Sequence, residues 1–144
     1  MNNPPQDESY KNLEREAKLF YKGIRRVFRP SWGEYISFNT EGFRHLIWKG
    51  NRKRKENERV KRLDLLPYAS IIIADGKLSS IRKKKKIERV KQYGRREKRE
   101  SSAKFWAFSD IKDGKKITVV VRQIGSGNKH FFSIFEDHKN KKLP

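Results

Sequence analysis

The C-terminal third of the chain constrains the fold most, because three runs rich in Val, Ile and Phe are separated there by two short turn sequences. The runs occupy residues 103–110, 116–124 and 129–136, and the turns are Lys112-Asp113-Gly114 and residues 125–128. An Asp-Gly pair between two alternating runs is a strong marker of a β-hairpin. The sequence therefore predicts a three-stranded antiparallel meander.

The turns also predict which residues face each other across the meander. A tight turn at Asp113-Gly114 pairs Phe108 with Val119, and a turn over residues 125–128 pairs Val121 with Phe132. One face of the sheet is then apolar and is predicted to face the core. Its members are Trp106, Phe108, Ile117, Val119, Val121, Phe132 and Ile134.

The opposite face mixes an arginine and hydroxyl groups with aromatic rings. Arg122 follows a run of valines in mid-strand, where a charge needs an anionic partner. We interpret this face as a platform that binds phosphates and bases. The alternative is that Arg122 pairs with a carboxylate such as Asp110 or Glu136, and that this face of the sheet is partly covered. The face carries Phe105, Ala107, Ser109, Thr118, Val120, Arg122, Phe131, Ser133 and Phe135.

The N-terminal half reads mainly as helices. Apolar residues at steps of three and four predict an amphipathic helix over residues 9–28, ended by Pro30. A short strand over residues 34–38 follows, and Asn39-Thr40 offers a cap for a helix with Phe43, Leu46 and Ile47 on its apolar side. A third helix ends at Leu66, whereas residues 68–74 fit either a helix or a buried strand.

The chain is strongly basic, with 37 Lys and Arg against 17 Asp and Glu and a net charge of +20. Much of the excess lies in residues 49–62 and 82–99, and the lysine run 83–86 is predicted to be a mobile loop. Such a charge favours a polyanionic partner, because each cation near a phosphate displaces condensed counterions. The predicted nucleic-acid-binding residues are Arg52, Lys53, Arg54, Lys55, Lys83, Lys84, Lys85, Lys86, Arg95 and Arg96.

Composition excludes several classes of protein. No apolar run approaches the ~20 residues of a membrane span, and the polar N-terminus is unlike a signal peptide. The chain has no cysteine, and its three histidines lack the HxxxH spacing of a helical zinc site. We therefore expect a cytoplasmic protein without metal or cofactor.

The length of 144 residues predicts one domain over residues 9–137 with a basic loop near 82–86, flanked by flexible segments 1–8 and 138–144.

Two stretches resemble a known family. Residues 36–47 are similar to the "v-x-F-x-x-x-g-f-x-H-l" opening of mobile-element nucleases, and residues 117–122 with 129–134 resemble the final hairpin of that family. The family is the phage-associated branch of the barnase/EndoU/colicin/RelE-like (BECR) superfamily. The resemblance implies an α+β fold, with N-terminal helices packed on one face of a small antiparallel sheet of about four strands. It also implies metal-independent RNA cleavage of the toxin or mobile-element type, with His45, Arg122 and Ser133 as site residues.

Those residue types suit RNA cleavage by the 2′-OH of the substrate. A histidine can transfer a proton near neutral pH, an arginine can clamp a phosphate with two donors, and a serine adds another donor. The hypothesis is that His45 transfers the proton while Arg122 and Ser133 hold the phosphate, leaving a 2′,3′-cyclic phosphate. Alternatively, His45 is a capping or core-edge histidine.

Four further residues are secondary candidates: Lys49, His130, Thr118 and Trp48. The alternation of side chains along the strand places His130 at the edge of the core face, and His130 ranks second, after His45, as the acid or base. Thr118 contributes a hydroxyl to the opposite face. Trp48 either stacks a base or belongs to the core, and Lys49 either touches phosphate or is solvated. His138, in the tail, is not expected to take part.

The expected partner is RNA, with tRNA and ribosome-bound RNA among the candidates. A toxin would also have an acidic antitoxin or immunity protein that covers the platform. Two rival functions are non-catalytic RNA or DNA binding on the same surface and an inactive nuclease-like domain that binds proteins. A separation of more than roughly 10 Å between His45 and Arg122 would favour binding alone, because acid–base work requires contact with the reacting groups.

Overall fold

The computed structural model describes the backbone of residues 6–92 and 94–137, and the side chains of residues 8–85, 94 and 102–137. The predicted tail 138–144 and residues 1–5 of the predicted flexible start lie outside the described residues. The side chains of Lys86, Arg95 and Arg96, three of the predicted nucleic-acid-binding residues, are also outside them. Gln6 to Glu8 belong to the first helix.

The fold is α+β, as predicted, with a strongly curled half-barrel sheet and a small separate hairpin. The sheet has six strands in the order β1-β2-β8-β7-β6-β5. The elements are α1 (Gln6–Ile24), β1 (Arg26–Arg29), β2 (Glu34–Ser37), α2 (Thr40–Ile47), β3 (Trp48–Lys49), β4 (Arg52–Lys53), α3 (Glu56–Leu65), a 3₁₀ turn (Leu66–Tyr68), α4 (Ala69–Asp75), β5 (Lys77–Gln92), β6 (Arg95–Lys112), β7 (Lys115–Ile124) and β8 (His130–Glu136).

The sheet is larger than predicted and mixed instead of purely antiparallel. β2 joins β8 in parallel through the pair Ser37–His130, and every other strand pair of this sheet is antiparallel. Because β2 meets β8 only at that end, the outer edge of β8 is covered by α2 and α3 instead of by a neighbouring strand.

The predicted mobile loop is a strand. Residues 82–86 lie within β5 and pair with β6, for example Lys83 with Lys104 and Lys84 with Ala103. The lysine run misled the prediction because like charges usually mark solvated loops. β5 is an edge strand, and exposed lysines are well tolerated there because they discourage pairing with other chains.

The first helix begins and ends earlier than predicted, at Gln6–Ile24 instead of residues 9–28. It ends at Ile24 because Arg25 adopts a left-handed backbone conformation with φ of 62°. Phe28 therefore lies on β1, where it is 43% exposed, and does not extend the apolar side of the helix. Pro30 falls in the turn between β1 and β2.

The predicted meander is confirmed as β6, β7 and β8, and its first register holds, with Phe108 opposite Val119. The second register holds as far as Val120, which lies opposite Ser133. A bulge then leaves Phe132 unpaired, so that Phe131 instead of Phe132 lies opposite Val121. The predicted core position of Phe132 is therefore wrong: Phe131 is fully buried, and Phe132 is half-buried on the other face.

α2 packs closely on β8. The Asn39 side chain caps the helix by accepting a hydrogen bond from the Gly42 N–H at 3.0 Å, as its sequence predicts. Gly42 lies so near the backbone of Phe131 that a Cβ atom there would be 2.5 Å from the Phe131 carbonyl oxygen. Leu46, one turn further, is fully buried. The core therefore holds α2 at a fixed rotation against β8.

The helical region from α3 to α4 closes the other side of the core. Residues 68–74, which the sequence left open between helix and strand, are helical: Tyr68 ends the 3₁₀ turn and the others belong to α4. The buried Arg29 of β1 donates to the carbonyl oxygens of Ile73 at 2.8 Å and Gly76 at 2.9 Å, at the C-terminal end of that helix. No helix in the described part of the chain is long and apolar enough to cross a bilayer.

Candidate nucleic-acid interface and active site

A cavity of about 710 Å³ lies where α2 and α3 meet β5, β6 and β8, and we call it the basic cavity. Six of its lining side chains are cationic, one is the carboxylate of Glu58, and three are phenylalanines. Such walls suit an anion that carries flat apolar groups. The lining residues are His45, Lys49, Arg54, Glu58, Arg62, Arg82, Lys83, Lys84, Phe105, Val120, Phe132, Ser133 and Phe135.

His45 is held in the basic cavity by Arg54. The Arg54 side chain is only 3% exposed. Its Nε donates to the His45 carbonyl oxygen at 3.0 Å, and its Nη2 lies 3.5 Å from His45 Nδ1. A guanidinium can only donate, so this contact favours the tautomer with the lone pair on Nδ1 and the hydrogen on Nε2. Glu58 anchors Arg54 from the other side at 3.4 Å.

The imidazole of His45 is neutral at pH 7. Burial, followed by the nearby charges of Arg54, Arg62, Arg122 and Lys49, lowers the pKa of His45 to about 4. Removing water and adding like charges both disfavour the protonated ring. An anion bound in the cavity would oppose both effects and raise this pKa.

Arg62 on α3 orients the hydroxyl of Ser133. Its Nη1 donates to Ser133 Oγ at 2.7 Å and to the Ile134 carbonyl oxygen at 3.2 Å, at the edge of β8 that carries no strand partner. Because Ser133 Oγ accepts this bond, its own hydrogen is left to donate to a ligand. Burial and the neighbouring Arg54 lower the pKa of Arg62 to about 10, and Glu58 acts against that shift.

The bulge in β8 places an aromatic ring between the site residues. The ring of Phe132 lies 4.0 Å from the His45 ring and 4.6 Å from Arg122 Cζ, measured to ring centroids. The His45 ring and the Arg122 guanidinium are therefore no farther apart than the sum of these distances, below the limit of roughly 10 Å for direct cooperation. Phe105 meets Phe132 edge-on at 5.3 Å.

Arg122 lies beside the basic cavity and pairs with a histidine. Its Nε donates to His130 Nε2 at 2.9 Å, so its partner differs from the carboxylates considered from the sequence. The bulge moves His130 opposite Arg122 and off the predicted core face. Burial, followed by the charge of Arg122, lowers the pKa of His130. His130 Nε2 is an acceptor in this pair and therefore holds Arg122 in place.

The remaining candidates lie elsewhere. Thr118 is buried, donates to Asp137 at 2.9 Å and shares a hydrogen bond with Ser109. Trp48 lines a second cavity on another side of α2. Arg52 and Lys53 form strand β4 beside Trp48, and Lys55 precedes α3; all three are exposed.

Sequence reasoning missed four residues of the site: Glu58, Arg62, Arg82 and Phe132. Arg54, Glu58 and Arg62 are spaced by four residues, and this spacing is the signal that could have singled them out of the basic segment. No pattern in the sequence predicted Phe132, because its position depends on the bulge in β8.

Among the described residues, no group of three or more His, Cys, Asp or Glu side chains is arranged to hold a metal ion. Comparisons with protein-family models, with curated proteins and with solved structures found no match for this chain. The resemblance to the BECR superfamily therefore rests on the residues quoted above.

Proposed function

We propose that this protein is a metal-independent endoribonuclease of the BECR-like toxin or mobile-element type, acting on RNA in the basic cavity. One observation carries the proposal: His45, Ser133 and a set of cations line the same cavity, with phenylalanine rings beside them. A histidine among phosphate-binding groups is the minimum that cleavage through the 2′-OH requires.

The cavity offers each part of an RNA strand a suitable contact. The guanidinium of Arg62 and the hydroxyl of Ser133, joined at 2.7 Å, both donate toward non-bridging oxygens of the scissile phosphate. Arg82, Lys83 and Lys84 on β5 bind the neighbouring phosphates. Phe105 and Phe135 supply faces for stacking of bases. Arg122, anchored to His130, clamps a phosphate at the rim.

With the hydrogen on Nε2, His45 serves as the general acid once a second proton, taken from solvent at Nδ1, makes the ring an imidazolium. The 2′-oxygen attacks phosphorus and forms the new P–O2′ bond, while the P–O5′ bond breaks. The 2′-OH proton leaves to solvent, and the Nε2 proton of the imidazolium passes to the departing 5′-oxygen, which returns the His45 ring to its neutral form. The bound phosphate supports this step, because its negative charge raises the pKa of His45 from about 4. The products are a 2′,3′-cyclic phosphate and a 5′-hydroxyl.

The proposal is tested by incubating purified protein with total RNA in EDTA. We expect wild-type protein to produce fragments ending in 2′,3′-cyclic phosphate, and His45→Ala to lower the rate by about 10²-fold or more. His138→Ala is the matched control, because it removes a histidine that has no role in the proposed site. RNA that is retained by wild-type protein but never cut would favour the rival function, binding without catalysis.

A chemically modified substrate separates the acid role from the base role. Sulfur in place of the bridging 5′-oxygen gives a leaving group that needs no proton. His45→Ala should therefore cleave this substrate at nearly the wild-type rate if His45 is the acid. An equally large defect on both substrates would assign His45 to another step.

The same proposal covers partner and compartment. The substrate is RNA, with tRNA and ribosome-bound RNA as the candidates, and the compartment is the cytoplasm. A toxin of this kind needs an acidic antitoxin or immunity protein whose carboxylates replace the RNA phosphates in the basic cavity. Co-purification with an acidic protein that blocks cleavage would support this part of the proposal.

A further inference from the structure

A second cavity, of about 580 Å³, lies between α1 and α2 and has no part in the chemistry described above. Its floor is apolar and aromatic, and its rim carries four cations and the single carboxylate of Glu14. The lining residues are Glu14, Lys18, Tyr21, Lys22, Arg25, Phe38, Asn39, Thr40, Phe43, Arg44, Ile47 and Trp48.

The rotation of α2 directs neighbouring residues into different cavities. Arg44 and Trp48 line the second cavity, whereas His45 and Lys49, the next residue in each case, line the basic cavity. Side chains four residues apart share a face of a helix, and adjacent ones do not. The two cavities are therefore separated by the width of one helix, near its C-terminal end.

The rim of the second cavity combines a flat ring with positive charge. Arg44 Cζ lies 5.1 Å from the Trp48 ring centroid, and Lys53 Nζ lies 5.9 Å from it. Trp48 begins the small hairpin of β3 and β4, in which Lys49 lines the basic cavity and Lys53 lies near the Trp48 ring of the second cavity. Positive charge thus continues from one cavity to the other.

We infer that the second cavity binds a nucleotide, and that it takes one that flanks the cleaved bond of the same RNA strand. The base would lie against Trp48 and Phe43, with the phosphate on Arg44 and Lys22. A cavity of this size matches the volume of small-ligand sites, and a base with its phosphate supplies both the flat ring and the anion that its walls require. The assignment of this nucleotide to the same RNA strand rests on the proposed function; the binding of a nucleotide does not.

The test uses ribonucleoside 5′-monophosphates and the indole N–H signals of the three tryptophans in ¹⁵N-labelled protein. Trp48→Phe identifies the Trp48 signal by its loss. We expect nucleotide to shift that signal with a saturable curve while the signals of Trp32 and Trp106 stay in place. Arg44→Ala should weaken binding by about 5- to 10-fold, because it removes a charge-assisted contact. Arg15→Ala, an exposed arginine on α1, is the charge-matched control.

Two results would overturn the inference. One is a Trp48 signal that does not move at nucleotide concentrations that saturate the shifts seen elsewhere in the protein. The other is an identical shift of the Trp48 signal with inorganic phosphate alone, which would show that the cavity binds any anion. The titration is repeated with His45→Ala, which should bind the nucleotide as wild type does. Wild-type protein that shows the Trp48 response but does not cut RNA would therefore refute the proposed function and leave the inference about the second cavity intact.

Discussion

Three arginines, two of them buried, show how one residue type performs different tasks in this molecule. Arg29 binds the carbonyl oxygens at the end of α4, Arg54 holds the backbone and ring of His45, and Arg62 holds Ser133 and the edge of β8. Each gives donors to groups that would otherwise be buried without a partner. Their contribution depends on geometry, which net charge does not describe.

The low pKa of His45 makes the stability of the protein depend on pH. The unfolded chain takes up a proton near pH 6.5, whereas the folded chain does so only near pH 4. Stability should therefore fall as the pH drops from about 6.5 toward 4, by on the order of 3 kcal/mol at most from this residue. Urea unfolding of wild type and His45→Asn across this pH range measures the effect. The free energy of unfolding of the variant should depend much less on pH. The slope that remains is expected from His130, whose pKa is lowered too.

Gly42 is required by the contact between α2 and β8. A methyl group there would collide with the Tyr21 hydroxyl and the Phe131 carbonyl oxygen. Gly42→Ala should therefore destabilise the protein by about 2–3 kcal/mol, as measured by chemical unfolding. Gly23→Ala, at an open position of α1, is the matched control and should stabilise slightly. Equal stability of the two variants would contradict the packing described here.

At the scale of elements, the bulge in β8 creates the site. It lets Phe131 enter the core while Phe132 and Ser133 both face the basic cavity. A regular strand would alternate and send one of two consecutive residues to the core. The ring of Phe132 joins His45 to Arg122 only because of this extra residue.

Deletion of Phe132 should convert β8 into a regular strand, because the pairs Val120–Ser133 and Val121–Phe131 then follow each other directly. We expect the deletion to cost less than about 2 kcal/mol, whereas Phe131→Ala should cost about 3–5 kcal/mol through a cavity in the core. Urea unfolding compares the two variants. A deletion variant that fails to fold would show that the bulge is needed for the fold as well as for the site. RNA binding by the folded deletion variant should weaken, because its cavity lacks the ring.

At the scale of the whole molecule, two basic segments distant in sequence meet at one cavity. Lys49, Arg54 and Arg62 come from the first segment, and residues 82–84 come from the second. The hairpin of β5 and β6 brings the second segment to the helices, with Arg82 opposite Phe105. Positive charge is thereby concentrated at the basic cavity, as the proposed binding of RNA requires.

Replacing Arg82, Lys83 and Lys84 together by alanine should make RNA binding less sensitive to salt. For single-stranded RNA, the slope of log K against log salt changes by about 0.7 for each phosphate contact, so the slope should become shallower by about 2. Fluorescence anisotropy with a labelled oligonucleotide measures this slope. The control replaces three exposed cations outside both cavities, Lys11, Arg15 and Lys115, by alanine. A control that changes the slope by the same amount would assign binding to net charge alone.

Much of the architecture could be predicted from local sequence. The Asp113-Gly114 turn and the alternating runs beside it determined the meander and its first register, because turn chemistry and side-chain alternation act over a few residues. The Asn39 cap and the apolar spacing of α2 determined that helix in the same way. The strand nature of residues 82–86 escaped prediction, because pairing with β6 outweighs a local preference for a loop.

The sequence by itself determined that the chain is a strongly basic α+β protein, and it singled out His45 and Ser133, which the fold brings to one cavity. Only the tertiary structure decided that Arg62 is the arginine that contacts Ser133, that Phe132 faces the site, and that Arg122 pairs with His130. The physical reason is the range of the interactions. Caps, turns and periodicity depend on neighbours in the chain, whereas a bulge, a buried arginine and a lowered pKa depend on groups that only folding brings together.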